Sequence, residues 1–137
     1  MNITVIDGHG GMLGAQLVKE ILAEMDGVCI TAVGTNATAT SAMLKAGAAK
    51  AATGENPVIV ACRKADVIIG PVGIVIADSL YGEITPAMAL AVGQADAVRI
   101  LIPMNKCENL IAGVGNVTTG ELIADVIEKL KNVSCEK

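Results

Sequence analysis

The chain has 137 residues, 53% of them hydrophobic, enough for one domain to bury an aliphatic core without disulfides or metal. Ten scattered basic residues against fourteen acidic ones leave a net charge of −4, and Tyr81 is the only Phe, Trp or Tyr. Neither the clustered cations that hold a nucleic-acid backbone nor the aromatic platforms that stack bases are present. The expectation is a single domain over residues 1–137 with no nucleic-acid partner.

Cys29, Cys62, Cys107 and Cys135 show no C-x-x-C spacing and share the chain with one histidine, so no metal site is expected and the thiols read as buried. Met1 to Asp7 lacks a basic n-region and carries an acid in its first apolar run, which argues against a secretory signal. The most apolar stretch, 67–77, is broken by Gly70, Pro71 and Gly73 and falls short of the roughly 20 residues a membrane span needs. A soluble, cytoplasmic protein with no membrane partner is expected.

Ile3 to Ile6 is a β-branched run closed by Asp7-Gly8, the pattern of a strand buried on both faces. Leu13, Leu17, Val18, Ile21, Leu22 and Met25 then recur at helical spacing, and Gly27 marks the end. Val28 to Val33 predicts a second strand, and Thr35 or Asn36 caps a helix to Gly47 whose small residues (Ala37, Ala39, Ser41, Ala42, Ala46) suit close packing. A weaker strand at Ala48 to Ala52 leads to a helix with Asn56 as N-cap and Pro57 at its first position, ending near Lys64.

Asp66 to Gly70 is a fourth strand, followed by an apolar segment to Tyr81-Gly82 and a helix begun by Thr85-Pro86 and finished at Gly93. Ala97 to Ile102 is the fifth strand, left by Pro103-Met104-Asn105-Lys106-Cys107, and a short extra strand is expected at Leu110 to Val114. Thr118 with Glu121 has capping-box spacing for the last helix, with Lys129 and Lys131 expected near its negative dipole end. Alternating strands and helices predict a Rossmann-like three-layer α/β/α fold with a mostly parallel five-stranded sheet. The apolar stretch from Gly73 to Gly93 predicts a homo-oligomer, at least a dimer.

In such sheets ligands bind beyond the carboxyl ends of the strands, near the point where strand order reverses. The first exit carries the clearest chemistry: Gly8, His9, Gly10, Gly11, Met12, Leu13 and Gly14 form a G-x-G-G-x-x-G turn whose backbone can approach an anion at a helix N-terminus. Tight packing alone would also explain glycines there. The spacing departs from the dinucleotide fingerprint G-x-G-x-x-G and from the P-loop, which needs G-K-[ST]. Thr35 and Asn36 stand where the ribose-binding acid of an NAD site would fall, able to bond a ribose or merely to cap a helix. Thr53, Gly54, Glu55 and Asn56 complete the candidate site. His9 suits a ligand contact or solvent, Glu55 a base or ordinary helix-dipole complementation, and Cys107 beside Lys106 has no second histidine to activate it. No catalytic residue is assigned.

The segments Val5 to Gly11, Gly34 to Thr40, Ala52 to Asn56, Ile69 to Pro71 and Gly82 to Pro86 together resemble a small bacterial family known as domain of unknown function 3842, over nearly the whole chain. Asn105-Lys106-Cys107 is similar to that family's Asn-Arg-Cys segment, while Met12 stands where a further glycine is expected and makes the turn bulkier for a pyrophosphate. The resemblance implies the fold and boundaries and brings no activity. The leading functional expectation is therefore a protein binding a nucleotide, a dinucleotide or another phosphorylated small molecule across the first three strand exits. The alternatives are an NAD(P)-dependent oxidoreductase and an oligomeric scaffold without a small-molecule site.

Overall fold

The computed structural model describes residues 1–104 and 109–136. Asn105, Lys106 and Cys107, and with them the thiol considered above as a nucleophile, lie outside the described residues. Five strands, β1 (Asn2–Asp7), β2 (Cys29–Gly34), β3 (Lys50–Thr53), β4 (Val67–Pro71) and β5 (Val98–Ile102), alternate with five helices. These are α1 (Met12–Glu24), α2 (Ala37–Lys45), α3 (Glu55–Lys64), α4 (Pro86–Gln94) and α5 (Thr119–Glu136), and a short 3-10 turn at Val72–Val75 follows β4.

The sheet order is β3-β2-β1-β4-β5, and all four pairings are parallel. The chain winds outward from β1 to β3, then crosses back to lay β4 on the other side of β1. Winding therefore reverses between β1 and β4. Successive strand residues point to opposite faces, so Ile3 and Val5 join one core with α1, α2 and α5, while Ile6 joins a second with α3 and α4. This gives the three-layer α/β/α fold.

Local signals set most helix starts. The Asn36 side chain accepts from Ala39 N at 2.9 Å, Thr85 accepts from Met88 N at 3.1 Å with Pro86 beside it, and Thr118 and Glu121 exchange the two bonds of a capping box. Asn56 does not cap α3. Gly54, at φ +107°, opens that helix two residues earlier, placing Asn56 and Pro57 inside its first turn.

Leu110 to Val114 is not a strand. Val114 N donates to Ile111 O and Gly113 adopts φ +86°, which closes a turn instead of extending the chain. Lys129 and Lys131 lie short of the last turn of α5, because the helix runs on to Glu136; they pair with Asp125 and with Glu24 of α1. Of the apolar residues between 73 and 93, Ile74, Leu80, Ile84, Met88, Ala89 and Val92 belong to the second core. Tyr81 and Leu90 are the large apolar side chains of that stretch left exposed. Among the described residues no helix is long and apolar enough to cross a membrane.

Candidate functional site

β1 ends in Asp7, a buried carboxylate at the mouth of the glycine turn. One oxygen accepts from Gly8 N at 2.8 Å and the other from Gly14 N at 2.7 Å. The N-cap of α1 is Gly11, at φ +74°, which has no side chain to satisfy a first-turn donor, so Asp7 does this from the preceding strand. Burial pushes the Asp7 carboxyl above the usual carboxylate range, against the opposing pull of the Gly14 and Gly8 hydrogen bonds and the His9 charge.

The four glycines have different reasons to be there. A Cβ on Gly8 would lie 2.7 Å from the Thr35 hydroxyl and 2.9 Å from Leu80, and one on Gly11 would lie 2.6 Å from Ala39 Cα. A Cβ on Gly14 would meet Met43 and Asp7 within 3 Å. Packing accounts for all three. Gly10 is the exception, since its nearest neighbour would be Met12 Cγ at 4.0 Å and it needs no left-handed backbone.

A second carboxylate reaches the turn from far along the chain. Glu83 accepts from His9 N at 3.1 Å, from Thr35 Oγ1 at 3.1 Å and from Asn36 Nδ2 at 2.6 Å. It is carried by the segment 76–85, in which Asp78, Leu80, Tyr81 and Gly82 all adopt positive φ. Three of these are not glycine, and such backbone persists only where its surroundings hold it. Leu80 is buried beside Gly8, the Ser79 hydroxyl donates to Gly73 O, and Asp78 N donates to Ile84 O at 2.7 Å. Tyr81 is exposed, its ring edge-on to His9 with centroids 5.4 Å apart. Partial burial pushes the Glu83 carboxyl up, but the bonds from His9 N, Asn36 and Thr35 and the His9 charge outweigh it and hold the group below the usual range.

A cavity of about 300 Å³ opens where the winding reverses. It is bounded by the turn from Asp7 to Leu13, by Pro71, Val72 and Gly73 at the end of β4, and by Leu80, Met104 and Thr119. Three chain segments begin a helical turn at its wall, α1 at Met12, the 3-10 turn at Val72 and α5 at Thr119. The N–H groups of Gly10, Met12 and Leu13 have no acceptor among the described residues, while those of Gly8, His9, Gly11 and Gly14 do. No Lys or Arg lines the cavity among the described residues. Beside the Asp7 carboxylate, the wall offers backbone N–H groups and the N-termini of α1 and α5, the chemistry that receives an anion.

The family model described as Domain of unknown function (DUF3842) matches residues 2–134. The chain belongs to this family. No curated protein and no solved structure matches it.

In this DUF3842 chain the expected site residues fall into three places. Gly8 to Leu13 line the cavity, and Gly14 stands behind it in the packing of α1 on α2. Thr35 and Asn36 face Glu83 on the β2 side of the turn. Thr53 meets Thr40 at 2.7 Å, Gly54 caps α3, and Glu55 is exposed in its first turn. Asn56 lines a separate cavity of about 440 Å³ between α3 and the sheet, with Thr4, Thr31 and Lys50. The third strand exit is therefore not part of the glycine-turn cavity. Sequence reasoning missed Glu83, Leu80 and Thr119. The signal for Glu83 was the Gly82 to Pro86 segment, which contributed to the family resemblance without being given a role.

Proposed function

We propose that this DUF3842 protein binds a phosphorylated small molecule, with its phosphate on the N–H groups of Gly10, Met12 and Leu13. One observation carries this: Gly10 opens on the cavity where packing does not require glycine, beside donors that have no acceptor. A glycine there lets a ligand come within hydrogen-bonding distance of the backbone. The place where the winding reverses is also where open α/β sheets hold their ligands, and the cavity falls within the size of small-molecule sites. Asp7 lines the same wall, but each of its oxygens already accepts a backbone N–H, which tempers its repulsion of an anion.

The test is a thermal-shift panel of mononucleotides, sugar phosphates and dinucleotides on wild type and on Gly10→Val. A ligand present at about a hundred times its dissociation constant stabilises the native state by about 2.7 kcal/mol. Wild type responds to at least one compound, and a folded Gly10→Val does not. No response from wild type, or an equal response from the variant, contradicts the reading.

A further inference from the structure

The glycine turn has two sides, one facing β4 and the other facing β2, and the structure treats them differently. On the β4 side lies the cavity. On the β2 side the chain fills the space itself: Glu83 bonds Thr35, Asn36 and His9 N, and Leu80, at the cavity rim, reaches over Gly8. Neither Thr35 nor Asn36 reaches the cavity wall. A ligand that straddles the turn, with a phosphate over the glycines and a body on each side, needs both spaces.

From this we infer that Glu83 is a specificity-determining residue that makes the site one-sided. It admits compact monophosphorylated molecules whose body lies toward Pro71, Val72 and Met104, and it excludes dinucleotides. This rests on the phosphate-site reading above. Two features of Glu83 support it. First, its carboxylate would repel a second phosphate approaching His9 N from the β2 side. Second, it is held by donors from two strand exits and by a loop of left-handed backbone, so vacating the space would break several bonds at once. Thr35 and Asn36, which sequence reasoning offered to a ribose, instead hold the group that closes the ribose side.

The experiment compares dissociation constants by calorimetry for glycerol 3-phosphate, ribose 5-phosphate, NAD and NADP on wild type and on Glu83→Ala. The wild-type constant for at least one sugar or glycerol phosphate is expected to be at least tenfold below that for either dinucleotide. Glu83→Ala, checked for folding by circular dichroism, is expected to narrow that ratio by gaining dinucleotide affinity. A wild type that binds NAD or NADP as tightly as the compact phosphates overturns the inference and leaves the phosphate site standing, and this arm needs no variant. A folded Glu83→Ala that still rejects dinucleotides overturns the role of Glu83. Binding of none of the four compounds, with no response in the wider panel, removes the site itself and the inference with it.

Discussion

Glu83 and Asn36, 47 residues apart in the chain, meet with 2.6 Å between a carboxylate oxygen and the amide nitrogen. Asn36 also donates to His9 O at 2.9 Å and caps α2 by accepting from Ala39 N. One asparagine thus ties the glycine turn, the β2 exit and the 76–85 segment together.

Replacing Glu83 with Gln keeps the shape of this junction and removes its charge. Hydrogen bonds to a charged acceptor contribute about 1.5–3 kcal/mol, so urea denaturation near neutral pH should show Glu83→Gln less stable than wild type by about that much. The Glu83 pKa is depressed in the folded protein, so its contribution is present above the unfolded value and is lost as pH falls through the folded one. The gap between wild type and Glu83→Gln should therefore close on acidification. A gap that is constant with pH would show that the charge does not matter.

Asp7 has the opposite sign. Its folded pKa is raised, so its contribution to stability is fully present at acid pH and is lost as pH rises through the folded value. Neutralising it also removes a negative charge from the cavity wall. Sulfate, which keeps its charge over this range, should bind more tightly as pH falls through the raised Asp7 pKa. The measurement is made in a His9→Gln background, so that the imidazole does not contribute, and is repeated with Glu83→Gln because that carboxylate faces the same turn. Sulfate affinity that is flat with pH in both backgrounds counts against Asp7 as a lining charge.

Gly10 and Gly11 are adjacent, and the structure separates their roles. Gly11→Ala forces a methyl to within 2.6 Å of Ala39 Cα at φ +74°, and overpacking of this kind costs about 1–3 kcal/mol before the backbone strain is added. Gly10→Ala meets open space and should leave the melting temperature nearly unchanged. Equal destabilisation by the two would mean that Gly10 is also a packing glycine.

The Cys62 thiol is buried, and burial pushes its pKa up to about 11. Since the thiolate is the reactive form, Cys62 should resist alkylation near pH 8 in the native protein. Exposed Cys135 should be labelled well before it when modification is followed by peptide mass mapping. Comparable rates at the two sites would show that the α3 side of the core opens readily.

The layered fold was legible because its signals are local. Buried strands announce themselves as β-branched runs, and caps such as Asn36, Thr85 and Thr118 act on residues three positions ahead. Asn56 misled because a glycine two residues earlier could enter a conformation closed to other residues, and a sequence does not show which of two adjacent caps the chain will use. Of the small residues of α2 read as close packing, Ala39 is buried against Gly11, whereas Ala37 and Ser41 are exposed. The site was legible only in part. That β4 lies beside β1 is a fact of strand order, and it moved the cavity from the β2 and β3 exits to the β4 side. Glu83 reaches the glycine turn through a segment with no helical or strand periodicity, so nothing in its spacing pointed to Thr35 or Asn36.

If donors in the glycine turn hold an anion on the β4 side, an amide chemical-shift titration of labelled protein with inorganic phosphate will locate it there. Saturable shifts are expected at Gly10, Met12 and Leu13, with Thr35 and Asn36 nearly still because Glu83 keeps their side of the turn closed. Shifts concentrated around Lys50 and Asn56 with the glycine turn unmoved, or no saturable shift anywhere, would contradict it.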